Sequence, residues 1–166
     1  MDLIVWRHAD AEDANAPDAD MARCLSARGI RQATRMAQWL DRKLPDNARV
    51  LVSPARRTEQ TAQALGRKYK LRDELVPDSS VEDVLGLLKW HPETGPQGKG
   101  PVLLVGHQPY LGQIVSRLLG INDMASSIRK GSVWWLRSRM REGQLQTVLM
   151  TVASPDLISH SWDDRS

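Results

Sequence analysis

Residues 101–120 read PVLLVGHQPYLGQIVSRLLG. The run PVLLVG has no polar alternation, so it predicts a strand buried on both faces, the habit of a parallel sheet. Beyond it the period changes: Leu111, Ile114, Val115, Leu118 and Leu119 line one side of a helix starting at Pro109, and Gly120 suits its end. A buried strand feeding a helix through a short polar turn is the repeating unit of an α/β protein. His107 stands in that turn.

The same pattern recurs on both sides of this stretch. LIVW at 3–6 and RVLVS at 49–53 are two more unalternating apolar runs. Helical spacing follows each: Ile30, Ala33, Ala37, Leu40 and Leu44 after an N-capping Ser26 and before Pro45, then a helix from just after Ser53-Pro54 to about Tyr69 with Thr61, Ala64, Leu65 and Lys68 on one side. A third helix is predicted from a capping Ser80 through Trp90, with Val84, Leu87 and Leu88 inward. SVWWLRS at 132–138 and LQTVLMTVA at 145–153, joined by REGQ, predict a hairpin closing one edge of the sheet. The Pro- and Gly-rich stretch at 91–101 reads as a mobile surface loop, and the residues from about Pro155 as a weakly ordered tail. The expected organisation is one α/β domain over 1–154 and a tail over 155–166.

Composition narrows the function classes. The 166 residues are 41% hydrophobic and 26% charged, as in a soluble globular domain, and the net charge of +3 gives no basic tail or stripe that would call for nucleic acid. Cys24 alone excludes an internal disulfide and a thiolate cluster and points to a reducing cytoplasm. The first apolar run is too short for a signal peptide, and no segment approaches the roughly 20 apolar residues of a membrane span.

In an open parallel sheet, ligands gather beyond the carboxyl ends of the strands. Three strand ends deliver polar residues there: Arg7-His8, Ser53-Pro54 followed by Arg56-Arg57, and His107. That set suits a phosphoryl group. The guanidinium groups of Arg7 and Arg57 can hold a dianion as paired forks, and a neutral imidazole is a competent nucleophile toward phosphorus. Cations beside His8 should depress its pKa, leaving His107 to donate a hydrogen bond to a phosphoryl oxygen. The arginines supply the positive charge that a metal supplies in many kinases, so no cofactor is expected. Four histidines without a short-spaced pair make no zinc site, and His91 and His160 read as surface residues. Asp10, Glu12 and Asp13 read as solvated, with Asp10 a candidate to orient a site residue.

WRHADAE, LSARGIRQA, LVSPARRTEQTA and LLVGHQPYLGQI, in this order, resemble the successive motifs of the histidine phosphatase superfamily, and within it the small SixA-like phosphohistidine phosphatase branch. The resemblance implies a three-layer α/β/α sandwich with a mostly parallel central sheet, as in the phosphoglycerate mutases. It implies His8 as the nucleophile that becomes phosphorylated, Arg7 and Arg57 as phosphate ligands, His107 as the group that stabilises the transferring phosphoryl, and Arg56 as a position the motif leaves free. Relatives that cleave phosphate esters carry a carboxylic acid to protonate the departing alkoxide. ELVPDSSVEDVL, at 74–85, lacks their Gly- and Glu-rich pattern; Asp78 and Glu82 are the candidate substitutes, while Asp83 reads as a helix cap. A missing acid favours a P–N substrate, whose imidazole can leave with its ring already protonated. The expected activity is therefore dephosphorylation of a phosphohistidine protein, a histidine phosphotransfer domain being one candidate partner. A phosphomonoesterase for a small phosphorylated molecule and a non-catalytic module that binds phosphoproteins are the alternatives.

Overall fold

A computed structural model describes residues 1–98, 100–121 and 126–158. A six-stranded sheet runs β3 (Lys70–Leu71), β2 (Arg49–Val52), β6 (Val102–Gly106), β1 (Asp2–Arg7), β7 (Val133–Arg141), β8 (Gln144–Ala153). β1, β6, β2 and β3 are parallel, and the β7–β8 hairpin closes the β1 side antiparallel. The hairpin turns at Glu142 and Gly143, both with positive φ (51° and 76°), the geometry whose twist matches the flanking strands.

The missing polar alternation has a plain cause: helices cover both faces. Ile4, Trp6, Val50, Val52, Leu103 and Val105 pack with Met36, Ala37 and Leu40 of α1 (Ala27–Asp41) and Ala62 of α2 (Arg56–Gln63). Leu3, Val5, Leu51 and Leu104 pack with Val84 of α3 (Val81–Leu87) and Leu111, Ile114 and Val115 of α4 (Tyr110–Leu119). The result is the three-layer sandwich. Ser26 caps α1 by accepting from the Gly29 amide, Ser80 and Asp83 form a reciprocal capping box on α3, and Gly120 ends α4 at φ 67°.

Several expectations are corrected. Ile30 is exposed and Met36 is buried, because the first turn of α1 lies against the chain after β1, where a Cβ at Gly29 would run into the Asp10 carbonyl. α2 starts at Arg56, just after Ser53-Pro54 as expected, but ends at Gln63; Gly66 at φ 69° reverses the chain, so Tyr69 leads into β3 instead of extending the helix, and Ala64 and Lys68 are exposed. α3 stops at Leu87. Trp90–His91 then pairs with Gly95–Pro96 as a small antiparallel ladder (β4 and β5) within what reads in sequence as a plain loop. The tail is described only to residue 158, so His160 lies outside the described residues. No helix among those residues is long and apolar enough to cross a membrane.

Candidate active site

Three parallel strand ends meet at one rim. The chain after β1 is fixed on several sides: the Arg7 amide donates to the Ser132 carbonyl, the His8 amide to the Gly106 carbonyl, and the Ala9 amide to Thr61 Oγ1 of α2. His8 and His107 are buried, with ring centroids 5.2 Å apart. Arg57, in the first turn of α2, reaches between the strand ends and places Nη2 3.4 Å from His107 Nδ1.

Hydrogen-bond partners settle both imidazoles. His8 Nδ1 lies 2.7 Å from the Ala9 carbonyl oxygen, which can only accept, so Nδ1 carries the proton and Nε2 the free lone pair. His107 Nδ1 faces a guanidinium, which can only donate; its proton therefore sits on Nε2, 2.8 Å from the buried Ser53 hydroxyl. Burial, then the Arg57, Arg7 and Arg23 charges, push His8 down to about 4, against the opposing pull of its bond to Ala9. Burial, the adjacent His8 and the same arginines push His107 down to about 2. Both rings are neutral at physiological pH.

A pH dependence of stability follows, with a definite sign. A histidine whose folded pKa lies below its unfolded value near 6.5 binds fewer protons folded than unfolded, so stability is full above 6.5 and falls as pH drops toward the folded pKa. Each of the two rings contributes about 1.4 kcal/mol per pH unit in that window. Urea unfolding at pH 7.5 and pH 5 should show a large loss at the lower pH, smaller in His8→Ala; equal stabilities would contradict the buried neutral pair.

The two arginines are only partly satisfied. Arg7 donates from Nη1 to the Ile128 carbonyl, and Arg57 from Nη1 and Nη2 to the backbone carbonyl and carboxylate of Asp20. The Nε–H groups of both are buried without an acceptor. An orphaned buried donor costs about 1–3 kcal/mol, and more when charged. Two such donors, on the arginines whose charges act on the His8 ring, are suited to seat an anion.

All four sequence-predicted residues thus come to one rim, and Arg56 does not: it is exposed beside Glu59. Asp10 binds Ser26 and Lys130, fixing the start of α1 rather than a site residue. Glu82 pairs with Arg117 on an exposed face, Asp83 caps α3, and Asp78 is exposed. Sequence reasoning missed Asp20, and it placed Ser53 at the rim without its bond to His107. Ser53 was visible as a polar residue closing an apolar strand. Asp20 had no signal, because it lies on a 3₁₀ turn (Asp20–Ala22) and reaches Arg57 only through tertiary packing. Among the described residues no group of three or more His, Cys, Asp or Glu side chains is disposed to hold a metal ion.

Residues 3–80 match the model of the histidine phosphatase superfamily (branch 1). Phosphohistidine phosphatase SixA of Escherichia coli (strain K12) is 31% identical over 121 residues, 71% of this chain and 74% of that protein. A SixA homolog of Haemophilus influenzae is 29% identical over 171 residues, 93% and 97% of the two chains. The solved structure of protein histidine phosphatase SixA complexed with tungstate superposes with a TM-score of 0.74 at 27% identity, covering 94% of this chain and 98% of that one.

Proposed function

The chain belongs to the histidine phosphatase superfamily, and from that premise we propose that it is a phosphohistidine phosphatase acting on phosphorylated proteins in the cytoplasm, with His8, Arg7, Arg57 and His107 as its working residues. The observation that carries the reading is the pair of orphaned guanidinium Nε–H donors flanking an imidazole whose Nε2 lone pair is free.

His8 Nε2 attacks the phosphorus of the substrate phosphohistidine. A P–N bond to His8 forms as the P–N bond to the substrate imidazole breaks, and that imidazole takes the bonding pair. Water then attacks the His8 adduct, the P–N pair returns to Nε2, and inorganic phosphate leaves. Arg7 and Arg57 turn their free donors to the phosphoryl oxygens, where charge redistributes during transfer. No ester-type acid is needed, since an imidazole protonated at its other nitrogen departs neutral. Asp20, the carboxylate on Arg57, is held as an acceptor between Arg57 and Arg23.

Phosphate release from a phosphohistidine protein and from an aryl phosphate, measured side by side, tests the reading. Fast turnover of the first alone is expected. Faster ester cleavage would turn it into a phosphomonoesterase, and tight phosphoprotein binding with no turnover into a binding module.

With its Nε2 proton donated to Ser53 and Nδ1 facing Arg57, His107 acts by positioning Arg57 and not by the expected donation to a phosphoryl oxygen, and it does so only if its ring is held. Ser53→Ala removes the buried hydroxyl that accepts from Nε2 and from the Ala55 amide, and should lower kcat about 10- to 100-fold together with a loss of about 1–3 kcal/mol in stability, while Ser53→Thr keeps most of both. Full activity in the alanine variant would dismiss the contact.

A further inference from the structure

A groove of about 750 Å³ opens along the β3 edge of the sheet, away from the four site residues. Six of its lining residues are cationic and none is acidic. Arg67 and Arg72 are neutralised by Asp41 and Glu74. Arg49, Lys68, Lys70 and Lys89 have no carboxylate partner among the described residues. The net charge of +3 is thus gathered, in part, into one concave strip.

Three further observations say what the strip fits. Leu51 and Leu87 give it an aliphatic floor. β3 is an end strand of the sheet, so the backbone at Lys70–Leu71 presents an unpaired edge of the kind an extended peptide can join. Lys89 follows α3 at φ 49°, a left-handed position that glycine fills at least cost, and its side chain lines the groove. β3, which borders the groove, is joined to β2, the strand that ends at the rim. The Arg72 amide donates to the Val52 carbonyl, one residue before Ser53, whose hydroxyl holds His107.

We infer that this groove is a docking track for an acidic, extended segment of a partner protein, the phosphohistidine protein of the reading above, on which the identity of the partner rests. A polypeptide suits the site better than a nucleic acid. Single strands bind on stacked aromatic platforms, whereas the groove has one ring, Tyr69, whose hydroxyl is already donated to Glu59.

The test compares the wild type with a triple variant, Lys68→Glu, Lys70→Glu and Lys89→Glu, none of which lies among the site residues. Binding of a labelled poly-glutamate peptide is followed by fluorescence anisotropy with vanadate filling the catalytic pocket, beside turnover of a phosphohistidine protein and of free phosphohistidine. The expected result is at least a tenfold weaker peptide affinity and a tenfold higher KM for the protein substrate, with free phosphohistidine turned over as before. Unchanged peptide binding in the variant overturns the inference, as does a single-stranded oligonucleotide that outcompetes the peptide on the wild type. The anisotropy arm judges the groove even if the wild type releases no phosphate, and absence of release speaks only against the phosphatase reading. A thermal unfolding curve matching the wild type shows that the variant is folded.

Discussion

His8→Ala should abolish turnover, with phosphate release from a phosphohistidine protein falling at least about 10,000-fold, because no other group offers an unprotonated nitrogen at the anion seat. His107 cannot take over, since its Nδ1 faces the Arg57 guanidinium and its Nε2 proton points to Ser53. The fold should survive the change: His8 lies at a strand end, and its amide bond to the Gly106 carbonyl does not depend on the side chain. Rapid-quench labelling of the wild type should trap an acid-labile, alkali-stable phosphoryl group that the variant lacks. Residual release above about one per cent of wild type would remove His8 as nucleophile.

Arg57→Ala comes next in size, with kcat/KM expected to fall about 1,000-fold. Two effects combine. The seat loses one of its two free donors, and the Asp20 carboxylate, half exposed and left with Arg23 as its remaining ion-pair partner, adds negative charge that repels an arriving phosphate. Adding Asp20→Asn to the alanine variant should therefore recover part of the loss. Arg57→Lys should recover little, because a single ammonium cannot bridge Asp20, His107 and the phosphoryl group together. A loss below tenfold in steady-state assays would exclude Arg57 from phosphate binding.

How much of this was legible in the sequence depended on how far each feature is set by neighbours along the chain. β1, β2 and β6 were plain, because burial on both faces leaves runs such as LLV with no polar residue to confuse them. The strand-end residues were plain for the complementary reason: Arg7, His8 and His107 interrupt those runs just where a parallel sheet places its ligands. The end of α2 is hidden in the sequence because Lys68 and Tyr69 continue a helical spacing that Gly66 has already ended. Ile30 misled for a tertiary reason, the tight seat of Gly29 on Asp10 setting the rotation of α1. β4 and β5 rest on two residue pairs, too few to leave a periodic trace. Asp20 was silent because its partner is 37 positions away and no pattern links a loop carboxylate to a helix arginine.

β1 has a hydrogen-bonded neighbour on each side and a helix layer above and below, and it carries His8, the proposed nucleophile, just beyond its end. Such a strand has no cheap local way to open, so its amides exchange with solvent only when the whole domain unfolds. The strand that presents His8 is therefore as durable as the protein itself. Hydrogen exchange should accordingly show the β1 amides among the last to exchange, later than those of the Asp20–Ala22 turn that holds Arg57.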